Sequence, residues 1–194
     1  MSARQHLIAE RRALLALCRG LGPAEWEAPS WCEGWRVRDV VAHMVGTEHD
    51  AGNLLAARGD VEQANARSVQ ARHDVPVLQL VTELAELAEA RGLARWFAPA
   101  LLVDNWIHQE DIRRPLGRPR AHHDPWRLGW VLRVTRLAPY SRARDLRLVA
   151  TDLDLAVGRG PEVWGPAADL ILAAAGRTQA AQTLDGPGAA RLAG

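Results

Sequence analysis

From Leu7 to Leu137 the large apolar residues return at three- and four-residue steps, in stretches that glycine or proline closes, and after about residue 144 that rhythm stops. Such a pattern restricts the chain to helices that bury one stripe each, followed by a smaller piece of different character. Leu7, Leu14, Leu15, Cys18 and Leu21 mark a first helix, which Ser2 can cap and Gly20, Gly22 and Pro23 end. The loop AEWEAPSWCEGW comes next. Val37, Val40, Val41, Met44, Val45, Leu54 and Leu55 form the stripe of a second helix reaching about Arg58, with Gly59-Asp60 as its stop. Residues 60–75 are polar and weakly periodic, a loop with room for a short helix. Pro76 suits the first turn of a third helix, VLQLVTELAELAEA, and Pro99 that of a fourth, which runs to Arg114 before Pro115-Leu116-Gly117. Asp124-Pro125 opens a fifth helix carrying Trp126, Trp130, Val134 and Leu137. LRLVAT and DLAVG then read as strands, Gly158, Gly160 and Pro161 as a turn, and AADLILAAAG as a short helix after Gly165-Pro166. The expectation is a mainly α chain: a helical bundle over 1–142 and a small α+β domain, β-β-α, over 143–194.

Composition removes several classes of function. A chain of 194 residues can enclose a core and a buried site without staples. Two cysteines, Cys18 and Cys32, are too few for a disulfide framework, so a reduced cytoplasm is the expected setting. Charges break every apolar run well short of the ~18 residues a membrane span requires, and MSARQHLIAERR has no A-x-A site; neither membrane nor secretion is expected. Net charge is +1, and all 24 basic residues are Arg. The ten Arg between Arg113 and Arg147 could attract an anion, although charge runs usually face water. No recognised motif accompanies them, so no nucleic-acid partner is expected. Oligomeric state is not legible.

The stretch that carries chemistry is DNWIHQEDIR, 104–113, in the later part of the fourth helix. Residues i, i+3 and i+4 share a helix face, which lines up Asp104, His108 and Asp111. Asp104 and His108 can ligate one metal ion, and Asp111 can orient the imidazole through its other nitrogen. A third ligand must come from another helix, and His43 in DVVAHMVG, within the most apolar helix, is the best candidate. Two His and one carboxylate leave coordination positions open, as catalytic metals require. Against this, a lone core histidine is more often satisfied than ligating, and an Asp–His pair at i, i+4 is more often a surface ion pair. Taken together, the two features bring the metal reading level with these. Cys32, in the Trp-rich loop leading to the His43 helix, could line the pocket but reads more readily as a small apolar packing residue; His49 and Asp50 read as the solvent end of their helix, and His122-His123 as loop.

WCEGWRVRDVVAHMVG (31–46), followed by D-x-x-x-H-x-x-D-I-R-R-P-L-G (104–117), resembles the mycothiol-dependent maleylpyruvate isomerase family, a branch of the DinB/YfiT-like metal-binding bundles. GPAADLILAAAGR (165–177) resembles that family's small C-terminal domain. The resemblance implies an up-down-down-up four-helix bundle holding a divalent ion, usually zinc, on His43, Asp104 and His108, with mycothiol as cosubstrate. Asp104 stands where the family pattern has Glu. With one methylene fewer, the helices must approach more closely, or a water must bridge, or another metal is preferred. The family's C-terminal arginine, linked with substrate handling, falls on Arg177.

The activity that the resemblance implies is that of an isomerase or S-transferase in which a metal-bound thiolate adds to a small electrophile. Only the thiolate of a thiol with pKa near 8.5 is a good nucleophile, and a metal with an open position supplies it. Arg177, or an Arg of the 113–120 cluster, could hold a substrate carboxylate. The alternative is a non-catalytic metal-containing bundle that binds or senses a small ligand.

Overall fold

The computed structural model describes residues 2–49, 61–89, 96–120 and 123–193 and divides the chain into two compact units, residues 1–119 and 120–194. The first unit is helical: α1 (Ala3–Arg19), α2 (Pro23–Trp26), α3 (Val37–His49), α4 (Val61–Gln70), α5 (Val77–Leu87) and α6 (Ala98–Arg113). Ser2 starts α1 through a reciprocal capping box: its hydroxyl accepts from the Gln5 N–H at 3.3 Å, and Gln5 Oε1 accepts from the Ser2 N–H at 2.7 Å. Four helices close a ring, because α1 packs against α5 and α6, and α3 packs against the same two. Its interior holds Leu14 and Cys18 of α1, Val40, Val41 and Met44 of α3, Leu80 and Leu84 of α5, and Ile112 of α6, all buried.

Helix α6 departs from the one-sided pattern of a surface helix. Every residue from Asn105 to Ile112 is buried, and five of these eight are polar or charged. Such groups can be buried only if they find partners. Gln109 donates to the Glu10 carbonyl at 2.8 Å and to its carboxylate at 2.7 Å, and Glu110 accepts from Arg114 Nε at 3.0 Å.

The loop between α2 and α3 is folded back on itself. Pro29 and Arg36 form a β-bridge, Ser30 N–H donates to the Trp35 carbonyl at 2.9 Å, and Val37 N–H donates to Ala28 at 2.9 Å. Gly34, at φ 76°, supplies the left-handed residue on which this turn closes. Trp31 N–H donates to the Asp111 carbonyl at 3.0 Å, which fastens the loop to the last turns of α6. At the other end Asp39 accepts from the Arg36 N–H at 2.9 Å and takes the Arg36 guanidinium on both oxygens, at 2.9 and 3.0 Å. One carboxylate therefore satisfies an orphan donor at the start of α3 and pins the loop's exit.

The second unit contains α7 (Pro125–Leu137), a three-stranded sheet of β1 (Arg147–Ala150), β2 (Ala156–Gly158) and β3 (Glu162–Gly165), and the helices α8 (Ala167–Ala174), α9 (Thr178–Ala181) and α10 (Ala190–Ala193). Strand β1 lies centrally, antiparallel to β2 and parallel to β3, with Leu148 facing Val163 across the register. Helix α8 packs on α7 and on the sheet and is buried throughout. Asp124 caps α7 by accepting from Arg127 N–H at 2.9 Å, and Asp152 accepts from Ala167 N–H at 2.8 Å at the start of α8.

The mainly α architecture with a small sheet near the C-terminus agrees with the sequence pattern; four details differ. Helix α7 belongs to the second unit, so the division falls at 119–120 rather than after 142. The reason is that its apolar face meets α8. The segment 61–70 is a regular helix, α4, despite its polar composition, because it packs against α3. The appendix has a third strand, Glu162–Gly165, in a stretch too short and too rich in Gly and Pro to show alternation. Short helices α9 and α10 close the chain. The expected end of the second helix, with Leu54, Leu55 and Arg58, and the segment 90–95 before Pro99 lie outside the described residues. Among the described residues no helix is long and apolar enough to cross a membrane.

Candidate metal centre

Helix periodicity places Asp104 one turn before His108 and Asp111 one turn after it, and the packing of α6 against α3 brings His43 opposite. His108 Nε2 lies 3.4 Å from Asp104 Oδ1, and His43 Nε2 lies 3.8 Å from the same oxygen. The two imidazoles meet edge to face with centroids 4.8 Å apart. One ligand atom from each of His43, Asp104 and His108 falls within 4.8 Å of the others. Both histidines are buried, whereas the Asp104 side chain is 32% exposed, so the cluster faces solvent on the carboxylate side.

The tautomers are set by the partners of the other ring nitrogens. His108 Nδ1 lies 3.0 Å from Asp111 Oδ2, whose side chain is wholly buried; a carboxylate only accepts, so Nδ1 carries a proton. Thr47 Oγ1 donates its own proton to the His43 carbonyl at 2.9 Å and stands 3.4 Å from His43 Nδ1. With that proton committed, the hydroxyl can only accept from Nδ1–H. In a neutral ring both Nε2 atoms then carry lone pairs directed at Asp104.

Charge coupling reinforces the cluster. Burial works against ionisation of Asp104, but the charge and hydrogen bond of His108, with a contribution from His43, outweigh it and hold the carboxyl well below the ordinary carboxylate range. Burial likewise opposes a charged His108, yet Asp104 first, and then Asp111 and Cys32, hold its pKa well above the ordinary imidazole value. A cation placed among these groups would take over the role of the His108 proton.

The donor set fits a divalent ion of the zinc type. Bonds of about 2.0–2.1 Å to a four-coordinate ion put neighbouring donors about 3.4 Å apart. The His108–Asp104 separation of 3.4 Å matches, and His43–Asp104, at 3.8 Å, has to close by a few tenths of an ångström. The shorter Asp104 side chain reaches both rings because α3 and α6 pack directly against each other.

The loop before α3 adds an aromatic and a sulfur neighbour to the cluster. Trp35 sits with its ring centroid 5.2 Å from that of His43 and 6.5 Å from that of His108. Of the two expectations for Cys32, the contacts favour lining the pocket over apolar packing: its thiol is directed at Asp111 Oδ2 (3.0 Å) and lies 3.6 Å from His108 Nδ1. The only available signal was the Trp-Cys-x-Gly-Trp spacing, which fixes a tight loop without saying what it folds onto. In the 113–120 cluster, Arg114 is engaged by Glu110 at 3.0 Å and lies over the Trp31 ring, and Arg118 holds Glu25 at 2.8 and 3.0 Å. Arg177 belongs to the second unit, at the N-terminus of α9, with Nη1 donating to the Ala175 carbonyl at 2.9 Å. The side chain of His49, and Asp50 and His122 altogether, lie outside the described residues.

A family model described as the mycothiol maleylpyruvate isomerase N-terminal domain matches residues 7–113, a span that contains His43, Asp104, His108 and Asp111. Comparison with curated proteins and with solved structures found no match.

Proposed function

The chain belongs to the mycothiol maleylpyruvate isomerase family, and from that membership we propose that it is a metal-dependent enzyme in which mycothiol adds to a small electrophile, giving either cis–trans isomerisation or S-transfer. The observation that carries this reading is the convergence of His43, Asp104 and His108, with one donor atom each within 4.8 Å, at the partly open end of a buried cluster. The ring formed by α1, α3, α5 and α6 is read as the family's four-helix bundle.

A divalent ion, zinc by preference, bound there with a free position would lower the pKa of an arriving thiol and make it nucleophilic at neutral pH. The protein's own residues prepare that event. Asp111 and Thr47 fix the Nδ1 protons, so both histidines offer Nε2 without tautomeric rearrangement. The set carries one negative charge, that of Asp104, and so leaves a dication with net positive charge for an incoming anion. The exposed side of Asp104 marks the direction of approach. In the reaction, sulfur forms a bond to one alkene carbon as the π bond breaks. Rotation about the resulting single bond and rupture of the same S–C bond return the thiol and give the geometric isomer. Capture of a proton at the other carbon instead leaves the S-conjugate. Arg177 is proposed to hold a substrate carboxylate, a role supported by the family resemblance of 165–177.

The test combines metal analysis with conjugation. Purified protein should carry about one equivalent of divalent metal after supplementation, and His43→Ala and His108→Ala should each lose it. Mycothiol with monochlorobimane should then conjugate only with metal-loaded wild type. Stoichiometric metal without any conjugation would replace this reading with that of a binding module, and absence of metal would remove both.

A further inference from the structure

Asp111 and Cys32 form, with the far side of the His108 ring, a second triangle of donors. Sγ of Cys32 and Nδ1 of His108 are each 3.0 Å from Asp111 Oδ2 and 3.6 Å from one another. Bonds of about 2.3 Å to sulfur and about 2.0–2.1 Å to nitrogen and oxygen set donor separations of about 3.3–3.6 Å around a four-coordinate ion. The Cys32–His108 separation of 3.6 Å already matches, and the two hydrogen-bonded separations of 3.0 Å to Asp111 would open by about a few tenths of an ångström around zinc and somewhat more around the larger cadmium. The Asp111 side chain is wholly buried while Cys32 is half-buried, which gives the triangle an opening at the sulfur.

We propose that Cys32, Asp111 and His108 Nδ1 form a second cation site, selective for thiophilic divalent ions such as cadmium, that excludes an ion from the His43–Asp104–His108 site. Two properties separate the sites. The first offers two imidazoles and one carboxylate, a set for borderline ions that leaves a dication with net charge to attract an anion. The second offers a thiolate, which favours soft ions, and two anionic donors that neutralise a dication outright. A neutral ion in a buried setting is held and has little electrostatic pull on an incoming thiolate. Binding releases the Cys32 thiol proton to solvent and displaces the His108 Nδ1 proton, which an imidazolium loses to solvent and a neutral ring carries instead on Nε2.

Exclusion arises from the shared ring. A neutral imidazole has one lone pair. With Nδ1 ligating the thiophilic ion, the remaining proton resides on Nε2, and His108 no longer has a donor for the first site. That part rests on the reading of His108 Nε2 as a ligand of the first ion; capture of cadmium by Cys32 does not.

Cadmium titration of the full chain, followed by thiolate-to-cadmium charge-transfer absorption in the ultraviolet, tests the site, with cobalt d–d absorption reporting the first site. Wild type and His43→Ala should both give the cadmium–thiolate band. Cys32→Ser, nearly isosteric and checked for unchanged helical circular dichroism, should lose it while still binding cobalt. One equivalent of cadmium should displace cobalt from wild type and fail to displace it from Cys32→Ser. Absence of the band in wild type, or its persistence in Cys32→Ser, overturns the second site. Cobalt and cadmium signals that develop independently in wild type overturn the exclusion. A cadmium band without any cobalt binding would refute the proposed function and leave the thiophilic site standing.

Discussion

Replacing Asp111 with Asn isolates what the buried carboxylate contributes to the metal centre. The side chain is wholly buried and accepts from His108 Nδ1 at 3.0 Å. Asn keeps the shape and an acceptor oxygen, so the tautomer survives, but the charge does not. Hydrogen bonds to charged groups contribute about 1.5–3 kcal/mol and neutral ones about 0.5–1.5 kcal/mol. The difference, about 1–1.5 kcal/mol, corresponds to about a tenfold loss of affinity for zinc, within the range of about 10–100-fold found when partners behind a ligand are removed. Asp111→Ala, which also removes the acceptor, should fall toward the upper end of that range. Competition against a chromophoric chelator measures both, with thermal melting of the metal-free proteins as the control for folding. A folded Asp111→Asn protein whose zinc affinity stays within about twofold of wild type would refute the argument that this carboxylate acts through His108.

Other perturbations address the surrounding structure. Burial pushes the Cys18 thiol up to about 12, against a smaller opposing effect of Arg113, so iodoacetamide at pH 8 should label Cys32 alone; equal labelling of both by intact mass would contradict the packing of α1. Asp39→Asn should cost about 1–2 kcal/mol at pH 7 by weakening the Arg36 ion pair and the cap on α3. Burial alone would raise the Asp39 pKa, but the hydrogen bonds and charge of Arg36 lower it below the ordinary value of 3.8. This depressed pKa stabilises the fold above about 3.8 and loses that effect as pH falls through the folded value. The wild-type advantage in urea melts should accordingly shrink in acid, and an advantage constant from pH 7 to the acid limb would refute the assignment. Leu14→Ala, at a fully buried position in the ring of helices, should cost about 2–5 kcal/mol by denaturant melting, and a loss under about 1 kcal/mol would show that α1 does not seal the core.

The parts legible in the sequence were those that obey a local period. Val40, Val41 and Met44 announced α3 and placed His43 beside them, and the spacing of Asp104, His108 and Asp111 put three side chains on one face of α6. The shared face of α6 needs no tertiary information; the approach of His43 does, and only the packing of α3 on α6 supplies it. What the period could not convey was anything built by a returning loop. Cys32 and Trp35 reach the histidines because Gly34 turns the chain and Trp31 fastens it to Asp111, contacts made across about eighty residues of sequence. Strand β3 is illegible for a similar reason, since Glu162–Gly165 becomes a strand by pairing with β1 rather than by its own alternation. Helix α7 carries the same apolar spacing as its predecessors, and its packing against α8 and β2 assigns it to the second unit.

The central claim is that one ion is shared by His43, Asp104 and His108. Anomalous diffraction at the zinc edge, from crystals of zinc-supplemented protein, tests it most directly. The account predicts a single strong peak about 2.0–2.1 Å from both Nε2 atoms and from an Asp104 oxygen, with a fourth position open toward solvent. A well-ordered structure without density among those three side chains, or with the two imidazoles turned apart, would contradict it.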